Sequence, residues 1–140
     1  MGSIFRTADA AGVSRIYLSG VTPTPLDRFG RVQKDIAKTA LGAETFVPWE
    51  AHQTPVRLLT MLQKQGWDIV GVEQDERAID YRDFRPKKKT VLILGNEVRG
   101  ISRNLRARCS RLIEIPMHGK KESLNVSVAA GIVLFQAASR

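Results

Sequence analysis

Short apolar runs alternate with longer amphipathic stretches along this chain. Ile16-Tyr17-Leu18, closed by Ser19-Gly20, predicts a buried strand. Asp68 to Val72, Thr90 to Leu94 and Leu112 to Ile115 predict three more, the last stopped by Pro116. Helical composition runs from Ser3 to Ala11 and ends at Gly12. Thr54-Pro55 supplies an N-cap and a first helical position for a helix to about Gln65, which Gly66 stops. Ser102 caps a short basic helix through Arg108, and a final helix covers about Ser123 to Ala138. Thr22-Pro23-Thr24-Pro25 is a loop, since each proline restricts itself and the residue before it. Lys34 to Leu41 fits a short helix or an ordered loop, and Ala78 to Arg85 carries no decisive pattern. Strands alternating with helices predict an α/β domain, its mostly parallel sheet covered by helices on both faces.

The final helix adds a second expectation. Its apolar positions, Val126, Val128, Ile132, Val133, Leu134 and Phe135 among them, do not form one narrow stripe. A helix apolar around most of its circumference is buried on more than one side. In a chain of 140 residues and 15.6 kDa, which reads as one domain over 1–140, a second subunit supplies that other side most simply. Ala129-Ala130-Gly131 permits close backbone approach there. The alternative is a helix wedged between the sheet and a loop of its own chain.

Charge and composition narrow the chemistry. Lys and Arg number 22 against 14 Asp and Glu, a net charge of +8. That surplus points to a polyanion, most simply nucleic acid, or to a soluble protein that is merely basic. A single cysteine, Cys109, excludes an internal disulfide and a thiolate zinc cluster, and reads as a small buried hydrophobe or as a thiol activated by the basic stretch before it. His52 and His118 stand far apart without cysteine partners, so no metal site is expected. His118 fits a surface loop or an acid–base group. No apolar run approaches the roughly 20 residues of a membrane span, and no signal-peptide pattern opens the chain, so a cytoplasmic location is expected.

Ligands of open α/β sheets bind at the carboxyl ends of the strands. Three turns fall there: Gly95-Asn96-Glu97-Val98-Arg99-Gly100, Ile115-Pro116-Met117-His118-Gly119, and Lys121 to Ser127. The first is neither a dinucleotide fingerprint nor a P-loop. Taken in order, three segments resemble the motifs of the TrmH group of SPOUT RNA methyltransferases. Gly2-Ser3-Ile4-Phe5-Arg6-Thr7-Ala8-Asp9 to Val13 is similar to the first and Leu92 to Ile101 to the second. Ile115-Pro116-Met117 with Ser123-Leu124-Asn125-Val126-Ser127-Val128-Ala129 is similar to the third, and together the matches span nearly the whole chain.

The resemblance implies a C-terminal deep trefoil knot, a rare exception to unthreaded topology. It implies a homodimer and S-adenosylmethionine as methyl donor to a ribose 2′-hydroxyl in tRNA or rRNA. Gly95, Ile115 and Leu124 would hold the cofactor through main-chain groups, with Asn96 beside them, and Leu94, Met117 and Val126 would form apolar walls. Asn125 and Ser123 would orient the ribose or the methionine end of the cofactor, or cap the last helix. Glu97 would organise the second-motif loop. Arg6 matches the first-motif arginine, which approaches the 2′-hydroxyl from the partner subunit. The family's first motif begins with an asparagine that falls ahead of Met1 here, and no separate RNA-recruitment domain is expected. RNA would then be held by basic clusters, each equally readable as a solvated face: Arg82, Arg85 and Lys87 to Lys89; Arg99 to Arg111; Lys120 and Lys121. A catalytically silent RNA-binding module and a methyltransferase acting on a base are the alternatives.

Overall fold

The computed structural model describes residues 2–20, 22, 24–96 and 99–139. These fall into two compact units, 1–55 and 56–140.

In the first unit, α1 (Gly2–Ala11) leads to β1 (Ile16–Ser19), followed by α2 (Lys34–Ala40), α3 (Ala43–Phe46) and β2 (Trp49–His52). The two strands are parallel, with Ile16 opposite Trp49 and Ser19 opposite His52. Phe5, Leu18, Ile36, Ala40, Ala43 and Val47 form the core. Gly2 is where α1 meets α2: a Cβ there would stand 2.0 Å from Thr39 Oγ1 and 2.2 Å from the Ile36 carbonyl oxygen. The undecided stretch from Lys34 is thus a helix, ended by Leu41 in the left-handed region and by Gly42.

The second unit contains α4 (Pro55–Lys64) from Val56 on, β3 (Asp68–Val72), β4 (Ile79–Asp80), β5 (Thr90–Leu94), α5 (Arg103–Arg108), β6 (Arg111–Glu114) and α6 (Val126–Ala138). Its sheet runs β4-β6-β3-β5 and every pairing is parallel. Val70, Ile113, Phe84 and Val133 pack together, placing α6 on one face of the sheet. Gly71 and its register partner Leu112 belong to the other face, where Cys109 and Ile101 close over β3. Both faces of these strands are therefore covered, as a parallel sheet requires. Ser102 caps α5 by accepting the Leu105 amide at 3.3 Å.

Two readings from the sequence shift. Residues Ala78 to Arg85 form the short β4 and a single 3₁₀ turn, where Asp80 accepts the Arg82 amide. The Arg82 guanidinium, which donates to both carboxylate oxygens, and then the Arg82 amide lower the pKa of the Asp80 carboxyl to about 2. The last helix starts at Val126 rather than Ser123, because Asn125 takes the cap by accepting the Ser127 amide at 2.8 Å.

Cys109, read from the sequence as a small buried hydrophobe or an activated thiol, is partly buried, and its Sγ donates to the Leu105 carbonyl at 3.4 Å. Burial pushes its thiol above the ordinary value, so less thiolate is present at any given pH. In the folded chain at pH 8, Cys109 should react with a disulfide reagent several-fold more slowly than after denaturation. Equal rates would contradict the partly buried placement.

Candidate functional site

Strands β3, β5 and β6 all point their carboxyl ends at one cavity of about 350 Å³, within the range of small-molecule sites. Val72 and Glu73 come from the end of β3, Leu94 and Gly95 from β5, and Glu114 and Ile115 from β6. Met117, Ser123, Leu124, Val126 and Ala129 close it from the third-motif segment and the first turns of α6.

The loop after β5 is shaped by what it cannot hold. A Cβ on Gly95 would lie 2.3 Å from the Gly100 carbonyl carbon and 2.5 Å from the Ile101 nitrogen. Asn96 and Gly100 exchange backbone hydrogen bonds of 3.3 and 2.7 Å across this neck. Gly100 has φ 67°, the left-handed region that favours glycine, and a Cβ there would meet Glu73 Oε2 at 2.3 Å. Glu73 Oε2 accepts the Ile101 amide at 2.6 Å, which ties the end of β3 to this loop. Gln74 Nε2 donates to the Glu122 carbonyl at 2.7 Å and ties the same end to the third-motif segment.

Eight predicted cofactor or ribose residues meet at the cavity: Leu94, Gly95, Asn96, Ile115, Met117, Ser123, Leu124 and Val126. Asn125 is exposed and turned to its capping role, so its side chain is engaged with the helix end rather than with the lining. Arg6 lies exposed on α1 in the first unit, with no carboxylate partner among the described residues. Glu97 lies outside the described residues. Glu73, Gln74, Glu114 and Glu122 also line the cavity and were not singled out from the sequence, while Arg99, read there as part of a basic cluster, lines it too. Glu73 and Gln74 follow the end of β3 and Glu114 ends β6, and that position was the signal that could have found them.

Glu73, Glu114, Glu122 and Arg99 therefore line a cavity whose remaining walls mix aliphatic side chains with polar ones and main chain. This suits a ligand with an apolar planar part, main-chain hydrogen-bonding edges and a positive charge. Among the described residues no group of three metal-ligating side chains occurs, and no helix is long and apolar enough to cross a membrane.

The basic clusters divide between structure and solvent. Arg111 pairs with Asp68 at 2.5 Å and lies 4.9 Å from the centre of the Phe84 ring, while Arg106 reaches Asp75 at 3.5 Å. Arg82 pairs with Asp80. Lys87, Lys88, Arg103, Lys120 and Lys121 are exposed.

Residues 1–135 match the SpoU rRNA Methylase family. A 23S rRNA (guanosine-2′-O-)-methyltransferase RlmB of Xanthomonas axonopodis pv. citri is 38% identical over 138 residues, covering 98% of this chain and 52% of that protein. The TrmH/SpoU tRNA modifying enzyme of A. aeolicus superposes with a TM-score of 0.83 at 32% identity, over 99% of this chain and 66% of that one. An AdoMet-bound rRNA methyltransferase from Sinorhizobium meliloti gives 0.86 at 31% identity, over 99% of this chain and 50% of that one. The chain spans about half the length of the curated relatives it matches. A match that runs unbroken through both units, on an α/β fold shared with solved members, places this chain in the SpoU rRNA methylase family.

Proposed function

We propose that this chain is the catalytic part of an S-adenosylmethionine-dependent RNA methyltransferase acting on a ribose 2′-hydroxyl in rRNA or tRNA, and that 1–140 works as a single methyltransferase domain. The observation that carries the proposal is the cavity where the ends of β3, β5 and β6 meet the Ser123–Val126 segment. A relative named for guanosine 2′-O-methylation of 23S rRNA and an AdoMet-bound neighbour support it.

When bound, S-adenosylmethionine supplies an electrophilic methyl group on a positively charged sulfur. The chain's own groups do the rest. The main chain at Gly95, Ile115 and Leu124, with Asn96 beside it, would hold the adenosine edge. Leu94, Met117 and Val126 would exclude water from it. Ser123 lies in the lining and would orient the ribose or the methionine end. Asn125 would act by fixing the start of α6, since its side-chain oxygen is taken by the Ser127 amide. Glu97 would order the loop it shares with Asn96 and Gly100.

Arg6 would stabilise the oxyanion that develops on the 2′-oxygen. Guanidinium keeps its proton near neutral pH and has no site to accept another, so the proton of the 2′-hydroxyl would pass to phosphate or water. Two further features belong to the same reading. The third-motif segment would thread a trefoil knot, for which β6 lying between β3 and β4, with Gln74 holding the Glu122 carbonyl, is the supporting geometry. A homodimer would cover α6, where Val128 and Phe135 are each about half exposed in the single chain. The cytoplasm would be its compartment.

Calorimetry with S-adenosylmethionine, then tritium transfer to RNA and nucleoside analysis, tests the proposal. One cofactor per chain and a labelled 2′-O-methyl nucleoside are expected. No uptake of cofactor would leave a silent RNA-binding module, and a methylated base would move the reaction to another acceptor.

A further inference from the structure

A short turn in the first unit is built to carry an aromatic ring outward. Leu26 and Val32 form an antiparallel bridge beneath it. The Asp27 amide donates to the Arg31 carbonyl at 2.8 Å, and the Gly30 amide to the Asp27 carbonyl at 2.9 Å. Asp27 Oδ1 accepts the amides of Phe29 and Arg31 at 2.8 and 2.9 Å, while Oδ2 accepts Arg31 Nε at 2.8 Å. Gly30, with φ 78°, takes the left-handed residue such a turn needs. Five hydrogen bonds within five residues leave the tip little freedom.

What this frame holds is Phe29, 67% exposed. The guanidinium carbons of Arg28 and Arg31 lie 4.8 and 5.1 Å from its ring centre. Arg31 is neutralised by Asp27, but Arg28 has no carboxylate partner among the described residues. A single exposed apolar side chain needs no explanation. An exposed ring with two guanidinium groups within about 5 Å of its centre, on an ordered turn of a chain with net charge +8, has the chemistry that unpaired nucleotides meet. Bases stack on aromatic and guanidinium planes, and an uncompensated arginine pairs with phosphate.

We propose that Phe29, flanked by Arg28 and Arg31, is a contact site for an unpaired RNA nucleotide, its base stacked on the ring–guanidinium surface and a phosphate held by Arg28. This rests on the RNA substrate proposed above. It assigns a contact to a turn in which no cofactor or catalytic residue was placed. The exposed Val32 and Leu26 beside the tip would instead suit a second copy of the chain, and the net charge favours the polyanion.

The test titrates the full chain against a labelled single-stranded RNA oligonucleotide of mixed sequence and a duplex of equal length. Phe29→Ala should weaken single-strand binding about tenfold, the loss expected of one stacked base. Phe29→Leu should weaken it similarly and Phe29→Trp should retain it, because the π face rather than apolar bulk is required. Duplex binding should change little. Arg28→Ala should lower the slope of log affinity against log salt by about 0.7, one single-strand phosphate contact. Circular dichroism and S-adenosylmethionine calorimetry should match the parent chain for all variants.

Wild-type affinity in both Phe29→Ala and Phe29→Leu would overturn the proposal, as would no RNA binding by the parent chain. A change confined to oligomeric state would assign the tip to a second copy and overturn it too. Absence of cofactor uptake by the parent chain would defeat the methyltransferase reading alone, since the RNA titrations judge the tip separately.

Discussion

Replacing Gly95 with alanine should weaken S-adenosylmethionine binding about thirtyfold or more, while the same change at Gly119 should leave it unaltered. At Gly119 nothing lies within 4 Å of the added Cβ. At Gly95 the added carbon meets the Gly100 carbonyl carbon at 2.3 Å, the Ile101 nitrogen at 2.5 Å and the Gly100 oxygen at 2.6 Å. All three are backbone atoms, so no rotamer change relieves the clash. Gly95 is not among the residues of positive φ, so the constraint is space rather than conformation. The neck must open, and opening it breaks the Asn96–Gly100 bridge and pulls the Ile101 amide away from Glu73. Overpacking costs about 2 kcal/mol, roughly a factor of thirty in affinity if the displaced loop is a wall of the site. The cluster of Val70, Phe84, Ile113 and Val133 does not include this loop, so thermal unfolding should remain cooperative. Calorimetry within threefold of the parent chain would show that this neck does not shape the cofactor site.

What the sequence disclosed follows from how local each signal is. Thr90–Leu94 is a run of apolar residues closed by glycine, and it is a strand with the expected bounds. The short basic helix after Ser102 is equally local, since cap and helix are adjacent. Trp49–His52 was invisible because its residues alternate without an apolar run and gain their pairing from β1, far back in the chain. Ile79–Asp80 is two residues long and is a strand only through its pairing with β6. The cavity divides the same way. Gly95, Ile115 and Leu124 stand in segments whose own residues resemble the family's motifs, whereas Glu73 matters because the Ile101 amide, 28 positions on, reaches its carboxylate. Contacts of that kind exist only once the strand order is known. The turn at Phe29 shows no periodicity, and its order comes from one aspartate bonded to residues two and four positions ahead.

Arg6→Ala should abolish methyl transfer, by about a hundredfold or more, and leave cofactor affinity near that of the parent chain. Removal of one preorganised donor from a developing oxyanion costs roughly 10²–10³ in rate. The substitution should not unfold α1, because that helix is held by Phe5, Ala8 and Gly2, while Arg6 is exposed. Arg6→Lys should recover only part of the rate, since an ammonium keeps the charge but loses the planar fork of donors. Lost cofactor affinity in Arg6→Ala would make the residue structural instead. In the homodimer proposed above, mixed subunits then decide from which protomer the arginine acts. An Arg6→Ala chain keeps its cavity and a Gly95→Ala chain keeps its arginine. If the arginine serves the partner's cavity, each mixed dimer has one complete site, and random pairing restores about a quarter of parental activity. If it serves its own, no pairing assembles a complete site and the mixture stays as inactive as either variant alone.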